Sequence, residues 1–90
     1  MMRVSFTKFA EKQIIKLPTG IIRSLSYWID TVVLLGIRET RRLSGYHDEP
    51  LKGTRKGQRS VRLNRSYRVI YIETNQNVEL LIIEVNKHEY

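Results

Sequence analysis

The stretch SVRLNRSYRVIYI, residues 60–72, decides the fold. In its first half the apolar side chains of Val61 and Leu63 alternate with polar ones, which is the pattern of a β-strand with one apolar face. The polar triplet 64–66 then predicts a tight turn. Residues 67–74 are rich in β-branched and aromatic side chains on both faces, so they predict a second strand in the centre of a sheet.

Two further strands are predicted outside this pair. A polar turn at residues 75–77 leads into residues 78–87, whose middle is entirely apolar, and this segment predicts a third consecutive strand. The three strands would form an antiparallel meander. Near the N-terminus, residues 3–6 alternate polar and apolar side chains and predict a short separate strand.

A first helix is predicted after the N-terminal strand. Thr7 can cap a helix over residues 8–17, and the sequence Pro-Thr-Gly at 18–20 ends it. Apolar residues at helical spacing predict its buried stripe, which contains Phe9, Ala10, Ile14 and Leu17.

A second helix is predicted over residues 21–35, with Gly36 as its C-terminal stop. Trp28, the only tryptophan, falls on its apolar stripe and is predicted to be in the core. A short third helix is predicted over residues 37–43. The buried stripe of the second helix is predicted to contain Ile22, Leu25, Trp28, Ile29, Val32 and Val33.

Together these elements predict an α+β fold, in which an N-terminal strand and a helical hairpin pack on one face of a twisted antiparallel sheet. Ninety residues suffice for a single domain, 1–90, with one core. The absence of cysteine excludes disulfides and thiol catalysis and favours a reducing cytoplasm. With no apolar signal segment and no run near the roughly 20 apolar residues of a membrane span, we expect a cytoplasmic protein without membrane association.

The positive charge is concentrated in one quarter of the chain. Between Pro50 and Ile72 there are seven Lys or Arg residues and no Asp or Glu, whereas the remaining residues carry nine of each sign. The net charge of +7 therefore belongs to this segment. We expect a polyanion to bind there.

Two arginines in this segment are candidates for a phosphate site. Arg62 lies on the strand face opposite Val61, and Arg68 lies on the neighbouring strand. Two guanidinium groups on adjacent strands can converge on one phosphate through planar, bidentate hydrogen bonds. The alternative is that both are solvated surface cations, or partners of Glu79 and Glu84.

The chain has two histidines, His47 before the basic segment and His88 after the last predicted strand. An imidazole suits proton transfer near neutral pH, although either residue can equally be a surface side chain. No third histidine, cysteine, HxH or HExxH spacing is present, so no metal site is predicted. A Walker loop, a GxGxxG turn and a serine elbow are also missing, and no cofactor is expected.

Four segments, in this order and spacing, resemble the RelE/ParE superfamily of toxins from bacterial toxin–antitoxin pairs, nearest to its HigB- and YafQ-like ribonuclease branch. The segments are GYHDEPLKG (45–53), GQRSVRL (57–63), YRVIY (67–71) and EVNKHEY (84–90). The resemblance implies the RelE-like microbial ribonuclease fold and a metal-free endoribonuclease. Such a toxin enters the A site of the 30S ribosomal subunit and cuts messenger RNA during translation.

The resemblance also implies roles for individual residues. His88 corresponds to the general acid, and Arg62 and Arg68 correspond to the groups that hold the scissile phosphate. His47 is the candidate general base, with Glu49 as the alternative. We expect a carboxylate of Glu84 or Glu89 to offset the positive charge around the acid, and we expect RNA or phosphate to be bound by Lys52, Arg55, Lys56, Arg59 and Tyr90, the last by stacking on a base.

The implied partners are mRNA, the ribosome and a cognate antitoxin. The basic charge predicts an antitoxin with an acidic segment, laid over the helical hairpin or a sheet edge. We expect the toxin alone to be a monomer and the complex with antitoxin to be a hetero-oligomer. Two rivals stay open: a ParE-type inhibitor of DNA gyrase with no nuclease activity, and a basic RNA-binding module that is not toxic.

Overall fold

The computed structural model describes residues 2–74 and 78–87. Within these residues the chain forms three α-helices and five β-strands, joined in part by two short 3-10 turns at Ser44–Tyr46 and Gly53–Arg55. In chain order the elements are β1 (Arg3–Phe6), α1 (Lys8–Ile15), α2 (Thr19–Leu35), α3 (Ile37–Arg41), β2 (Glu49–Pro50), β3 (Arg59–Arg62), β4 (Tyr67–Thr74) and β5 (Glu79–Lys87).

The five strands form one mixed sheet in the order β1-β5-β4-β3-β2. The β3-β4-β5 meander is antiparallel and β4 is central, as predicted. β1 pairs in parallel with β5, and this pairing adds a parallel edge to the predicted antiparallel sheet. β2 is a two-residue edge strand that the sequence did not indicate. The predicted turn at 75–77 lies outside the described residues.

The helices begin and end where local chemistry dictates. The hydroxyl of Thr7 accepts a hydrogen bond from the Ala10 amide at 3.0 Å and caps α1. α1 ends at Ile15, two residues before the predicted end, because α2 begins directly after Pro18. Gly36 ends α2 at a φ of 82°, a conformation that disfavours any residue with a Cβ atom.

The core lies between the helices and one face of the sheet. Trp28 is fully buried, as predicted, and its ring centroid is 5.5 Å from that of Tyr71. The buried residues that form this core are Ala10, Leu25, Trp28, Val32, Ile37, Val61, Val69, Tyr71, Leu80, Ile82 and Val85. No helix within the described ranges is both long enough and apolar enough to cross a membrane.

Two residues predicted to be buried are not. Phe9 is 57% exposed and Ile22 is 40% exposed. On α1 the residue that faces the sheet is Ala10, and Phe9 lies about 100° around the helix from it. On α2 the buried stripe begins at Ile21 and continues at Leu25, so the predicted stripe was shifted by one residue at its start.

A β-bulge decides which side chains of β5 face the helices. Ile70 pairs with Glu84 but Tyr71 pairs with Ile82, so Ile83 is the extra residue. Leu80 and Ile82 point into the core before the bulge and Val85 does so after it. Glu84 is thereby placed on the face of the sheet opposite the helices. The hydroxyl of Thr7 donates a hydrogen bond to the carbonyl of Ile83 at 3.1 Å and fixes the bulge to α1.

Replacing Trp28 by alanine should lower the free energy of unfolding by about 3–5 kcal/mol, because it removes the largest fully buried side chain and leaves a cavity beside Tyr71. Urea denaturation followed by circular dichroism measures this loss. Phe9→Ala is the matched control, since the exposed ring should cost about 1 kcal/mol or less. Equal losses for the two variants would contradict the core described above.

Candidate active site

A cleft lies on the face of the sheet opposite the helices, beside β3. Its volume is about 70 Å³. It is lined by a histidine, a glutamate, three arginines and three polar residues, which are His47, Glu49, Arg62, Arg65, Arg68, Ser60, Asn64 and Tyr67. Four of the five residues predicted to be catalytic therefore meet in one cleft, and the fifth, His88, lies outside the described residues.

The floor of the cleft carries a pair of opposed arginines. Arg62 on β3 and Arg68 on β4 are direct register partners, and the adjacent pair Val61–Val69 faces the core. The Nε atom of Arg68 is buried and has no hydrogen-bond partner among the described residues. A buried donor without an acceptor is unfavourable, and an anion in the cleft would supply the missing acceptor. This arrangement is compatible with the phosphate site predicted for the two arginines, whose role stays a prediction.

The β3–β4 turn holds the two arginines opposite each other. Oδ1 of Asn64 accepts hydrogen bonds from the backbone amides of Ser66, at 2.7 Å, and Tyr67, at 2.8 Å. This side-chain turn sets the register of the hairpin. Arg65 lies in the turn and becomes a third cation on the cleft wall. The sequence located this turn, but it did not indicate that Arg65, Ser60, Asn64 and Tyr67 line the cleft.

His47 and Glu49 lie on the segment 44–50, called here the His47 loop. His47 has φ 46° and ψ 48°, and it is the only described residue other than glycine with a positive φ. This left-handed conformation costs about 1–2 kcal/mol, so the surroundings must hold it. Glu49 pairs with Ser60 through the β2–β3 ladder. Both side chains are exposed in the cleft.

Between them, Asp48 points the other way and is buried. Its side chain is 1% exposed. Its Oδ1 accepts a hydrogen bond from Nε of Arg59 at 2.6 Å, and its Oδ2 accepts one from the hydroxyl of Tyr71. Arg41 on α3 joins the same group, with Nε 3.7 Å from Oδ1 of Asp48 and with Nη2 donating to Tyr71 and to Glu73.

This network shifts the pKa values of two of its members, Tyr71 and Arg41. Burial raises the pKa of Tyr71, and the hydrogen bond to Asp48 raises it further, so the hydroxyl keeps its proton. Burial alone would lower the pKa of the Arg41 guanidinium, but hydrogen bonds to Tyr71 and Glu73 raise it. The tyrosine hydroxyl therefore remains a donor to the carboxylate across the ordinary pH range.

A second ion pair ties the basic loop, residues 51–58, to the sheet. Arg55 donates to the carboxylate of Glu84 and, at 2.8 Å, to Oε1 of Gln58. Nδ2 of Asn86 donates to the other oxygen of Glu84 at 2.6 Å. The Glu84 carboxylate, considered from the sequence as a counter-charge for the acid, is thus engaged by Arg55.

No protein-family model and no curated protein sequence matches this chain. Solved structures do match it over nearly its whole length. YafQ from E. coli strain BL21(DE3) is 18% identical and has a TM-score of 0.76, over 98% of this chain and 94% of that one. The archaeal RelE–RelB complex from Pyrococcus horikoshii OT3 contains a chain that is 25% identical and has a TM-score of 0.71, over 96% and 93%. The toxin–antitoxin complex RelBE2 from Mycobacterium tuberculosis matches at 22% and 0.69, over 97% and 98%.

This chain has the RelE-like toxin fold. The resemblance to the RelE/ParE superfamily drawn from the sequence is thereby confirmed for the fold. Within this RelE-like fold, the cleft beside β3 is where the described candidates Arg62, Arg68, His47 and Glu49 meet. Their catalytic roles stay predictions.

The other predicted RNA-binding residues lie outside the lining of the cleft. Lys52 and Lys56 are exposed on the basic loop, and Arg55 on the same loop is bound to Glu84. Arg59 alternates with Ser60 along β3, so its side chain reaches Asp48 on the other side of the sheet. Their contacts with RNA stay predictions, and the geometry favours Lys52 and Lys56 over Arg55 and Arg59. The terminal residues His88, Glu89 and Tyr90 are not among those described.

The described part of this RelE-like fold contains no group of three or more His, Asp or Glu side chains arranged to hold a metal ion. The cations that face the cleft are guanidinium groups.

Replacing Tyr71 by phenylalanine should lower the free energy of unfolding at about pH 8 by about 1–3 kcal/mol, because a buried carboxylate loses a donor. The folded state binds the Tyr71 proton more tightly than the unfolded state, in which the hydroxyl ionises near pH 10. The stabilisation is present below about pH 10 and is lost at higher pH. Urea denaturation of both proteins at about pH 8 and about pH 11 should thus show a smaller difference in the free energy of unfolding at the higher pH.

Tyr27→Phe, which alters an exposed ring, controls for general effects of tyrosine loss. A difference that does not shrink would contradict the raised pKa.

Proposed function

We propose that this protein is the toxin of a toxin–antitoxin pair and that it acts as a metal-free endoribonuclease on mRNA. The observation that carries the proposal is the cleft itself, where two opposed arginines face His47 and Glu49, and the buried Nε of Arg68 has no partner in the described part of the chain. A phosphodiester bound to the arginines would lie between groups that can move protons. The RelE-like fold is consistent with this activity, but fold alone does not determine function.

Arg62 and Arg68 would bind the non-bridging oxygens of the scissile phosphate. Guanidinium groups form paired hydrogen bonds to phosphate and keep their charge at any working pH. Negative charge grows on these oxygens as the phosphorus becomes five-coordinate, so donors already in place stabilise the transition state more than the substrate. Arg65, at the rim of the cleft, would hold a neighbouring phosphate.

His47 or Glu49 would take the proton from the ribose 2′-hydroxyl. The 2′-oxygen then forms a bond to phosphorus, the bond to the 5′-oxygen breaks, and the departing oxygen receives a proton from an acid. His88 is the proposed acid, with the role taken from the resemblance. The products are a 2′,3′-cyclic phosphate and a 5′-hydroxyl.

The basic surface supports a large anionic partner. Lys52 and Lys56 are exposed on the basic loop, next to the cleft that holds three further cations. We propose that these residues guide the toxin to mRNA in the A site of the 30S subunit, in the cytoplasm. Binding of this kind weakens strongly as salt concentration rises.

The helical side of the molecule supports the antitoxin. Large apolar side chains on α2 and just after α3 are left uncovered, with Leu34 81% exposed. A second groove is lined there by Tyr27, Asp30, Thr31, Leu34, Leu35, Leu43 and Tyr46. We propose that apolar side chains of the antitoxin cover this groove. The sequence predicted an acidic segment over the helical hairpin or a sheet edge, and the acidic character stays a prediction. Two of the solved structures with this fold are complexes with a partner protein.

Induced expression of the protein should arrest growth, with transcripts cut inside reading frames, and Arg68→Ala should relieve the arrest. Loss of one transition-state donor of this kind costs about 10²–10³ in rate. Primer extension on total RNA after a short pulse of expression locates the cuts. The matched control is Arg23→Ala, which removes an exposed arginine from α2, on the other side of the sheet, and should leave cleavage unchanged.

The rival functions give different results in the same experiment. Growth arrest with intact transcripts and gyrase-linked DNA breaks would replace the ribonuclease by the ParE-type gyrase inhibitor. Salt-sensitive RNA binding with neither cleavage nor growth arrest would show that the protein is an RNA-binding module without nuclease activity.

A further inference from the structure

We infer that Asp48 is a positioning residue that holds His47 and Glu49 over the arginine pair, an inference that rests on the proposed function. Asp48 lies between the two proton-transfer candidates in the chain, yet its side chain is on the other side of the His47 loop. It neither lines the cleft nor meets solvent. Its carboxylate therefore acts on the site through the backbone and not on the substrate.

The carboxylate joins the His47 loop to three elements of the fold. Nε of Arg59 on β3 donates to it at 2.6 Å, and the hydroxyl of Tyr71 on β4 donates to its other oxygen. Arg41 on α3 approaches it to 3.7 Å and is itself bound to Glu73. Because these partners are buried or half-buried, the loop cannot shift without leaving charged groups unpaired.

The two neighbours of Asp48 differ in how they are held, because Glu49 is paired with Ser60 in the β2–β3 ladder and His47 precedes that ladder. Neither His47 nor Glu49 makes a side-chain hydrogen bond or ion pair within the part of the chain that is described. His47 is also in a left-handed conformation that an unrestrained histidine would leave. The backbone amide of His47 donates a long hydrogen bond, 3.3 Å, to the carbonyl of Ser44. The buried carboxylate of Asp48 is thus the main restraint on the place of His47, and it adds to the β2–β3 ladder in fixing Glu49.

This arrangement separates catalysis from binding. Arg62 and Arg68 are fixed by the β3–β4 ladder, and they lie on the opposite face of the sheet from Arg59 and Tyr71, which bind Asp48. A change at Asp48 should therefore misplace the base but leave the phosphate contacts intact. Arg59 and Tyr71 belong to the same positioning group, since the side chain of each donates to this carboxylate and neither lines the cleft.

The test compares Asp48→Asn and Tyr71→Phe with the wild-type protein. The single-turnover rate of cleavage of a short RNA should fall tenfold or more in both variants, because a displaced base misses the geometry for attack. Affinity for the same RNA with 2′-deoxyribose at the cut position should stay within about twofold. Val32→Ala, a core variant on α2 whose apolar side chain makes no polar contact with the network, controls for lost stability and should cleave at the wild-type rate. Tyr71→Phe keeps the test valid if Asp48→Asn does not fold.

A second measurement does not depend on cleavage. The NMR signals of the His47 ring, assigned by their loss in His47→Gln, should move in Tyr71→Phe and stay in place in Val32→Ala. If the wild-type protein cuts no RNA while these signals move, the proposed function fails and the positioning by Asp48 stands. Wild-type cleavage rates in both variants, a rate loss equal to that of Val32→Ala, or ring signals that do not move would overturn the inference.

Discussion

The structure depends on one hairpin that places two like charges side by side. Arg62 and Arg68 are opposed on β3 and β4, and like charges in directly opposed positions destabilise a sheet by a fraction of a kcal/mol. One residue earlier and one later, Val61 and Val69 are opposed on the other face and fully buried. Alternation along two short strands thus lets a stable apolar contact hold an unfavourable pair of cations in place.

Two acidic side chains near the sheet, Asp48 and Glu84, fasten loops and do not neutralise the cleft arginines. Asp48, just before the edge strand β2, is engaged by Arg59, and Glu84, on β5, is engaged by Arg55. The cleft arginines have no salt bridge to any described carboxylate. Paired opposite charges hold the loops against the sheet, while the cleft arginines keep the uncompensated charge that the proposed phosphate site would need. This division explains why a segment with seven cations and no anions of its own still folds over the sheet.

Local patterns predicted the elements well, because alternation and helical spacing are properties of short segments. The strands at 3–6 and 67–74 have the predicted bounds, and Arg62 and Arg68 share a face as expected. The parallel pairing of β1 was not predictable in this way, because the sequence pattern of a strand does not indicate which strand it pairs with. The run of apolar residues in β5 also hid a bulge, because an apolar residue at Ile83 gives no sign that the alternation changes there.

The sequence predicted those site residues whose positions follow from the alternation of side chains along a strand. It did not predict those whose positions depend on contacts between residues far apart in the chain. Asp48 stands among exposed charged residues, and its sequence neighbours give no reason to expect burial. Its partners are 11 residues away at Arg59 and 23 away at Tyr71. The same contacts explain the position of Arg59, which the charge pattern grouped with the RNA-binding cations. Only the folded arrangement shows that the guanidinium of Arg59 binds the carboxylate of Asp48.

The burial of Trp28 gives the protein a built-in optical reporter. It is the only tryptophan in the chain, so fluorescence excited at the long-wavelength edge of the tryptophan absorption band arises from a single environment. That indole is 5.5 Å from the ring of Tyr71, whose hydroxyl holds Asp48. The His47 loop is therefore linked to the indole of Trp28 through two contacts, Trp28–Tyr71 and Tyr71–Asp48. Motion of the loop can be followed by the fluorescence of unlabelled protein as an oligonucleotide is added.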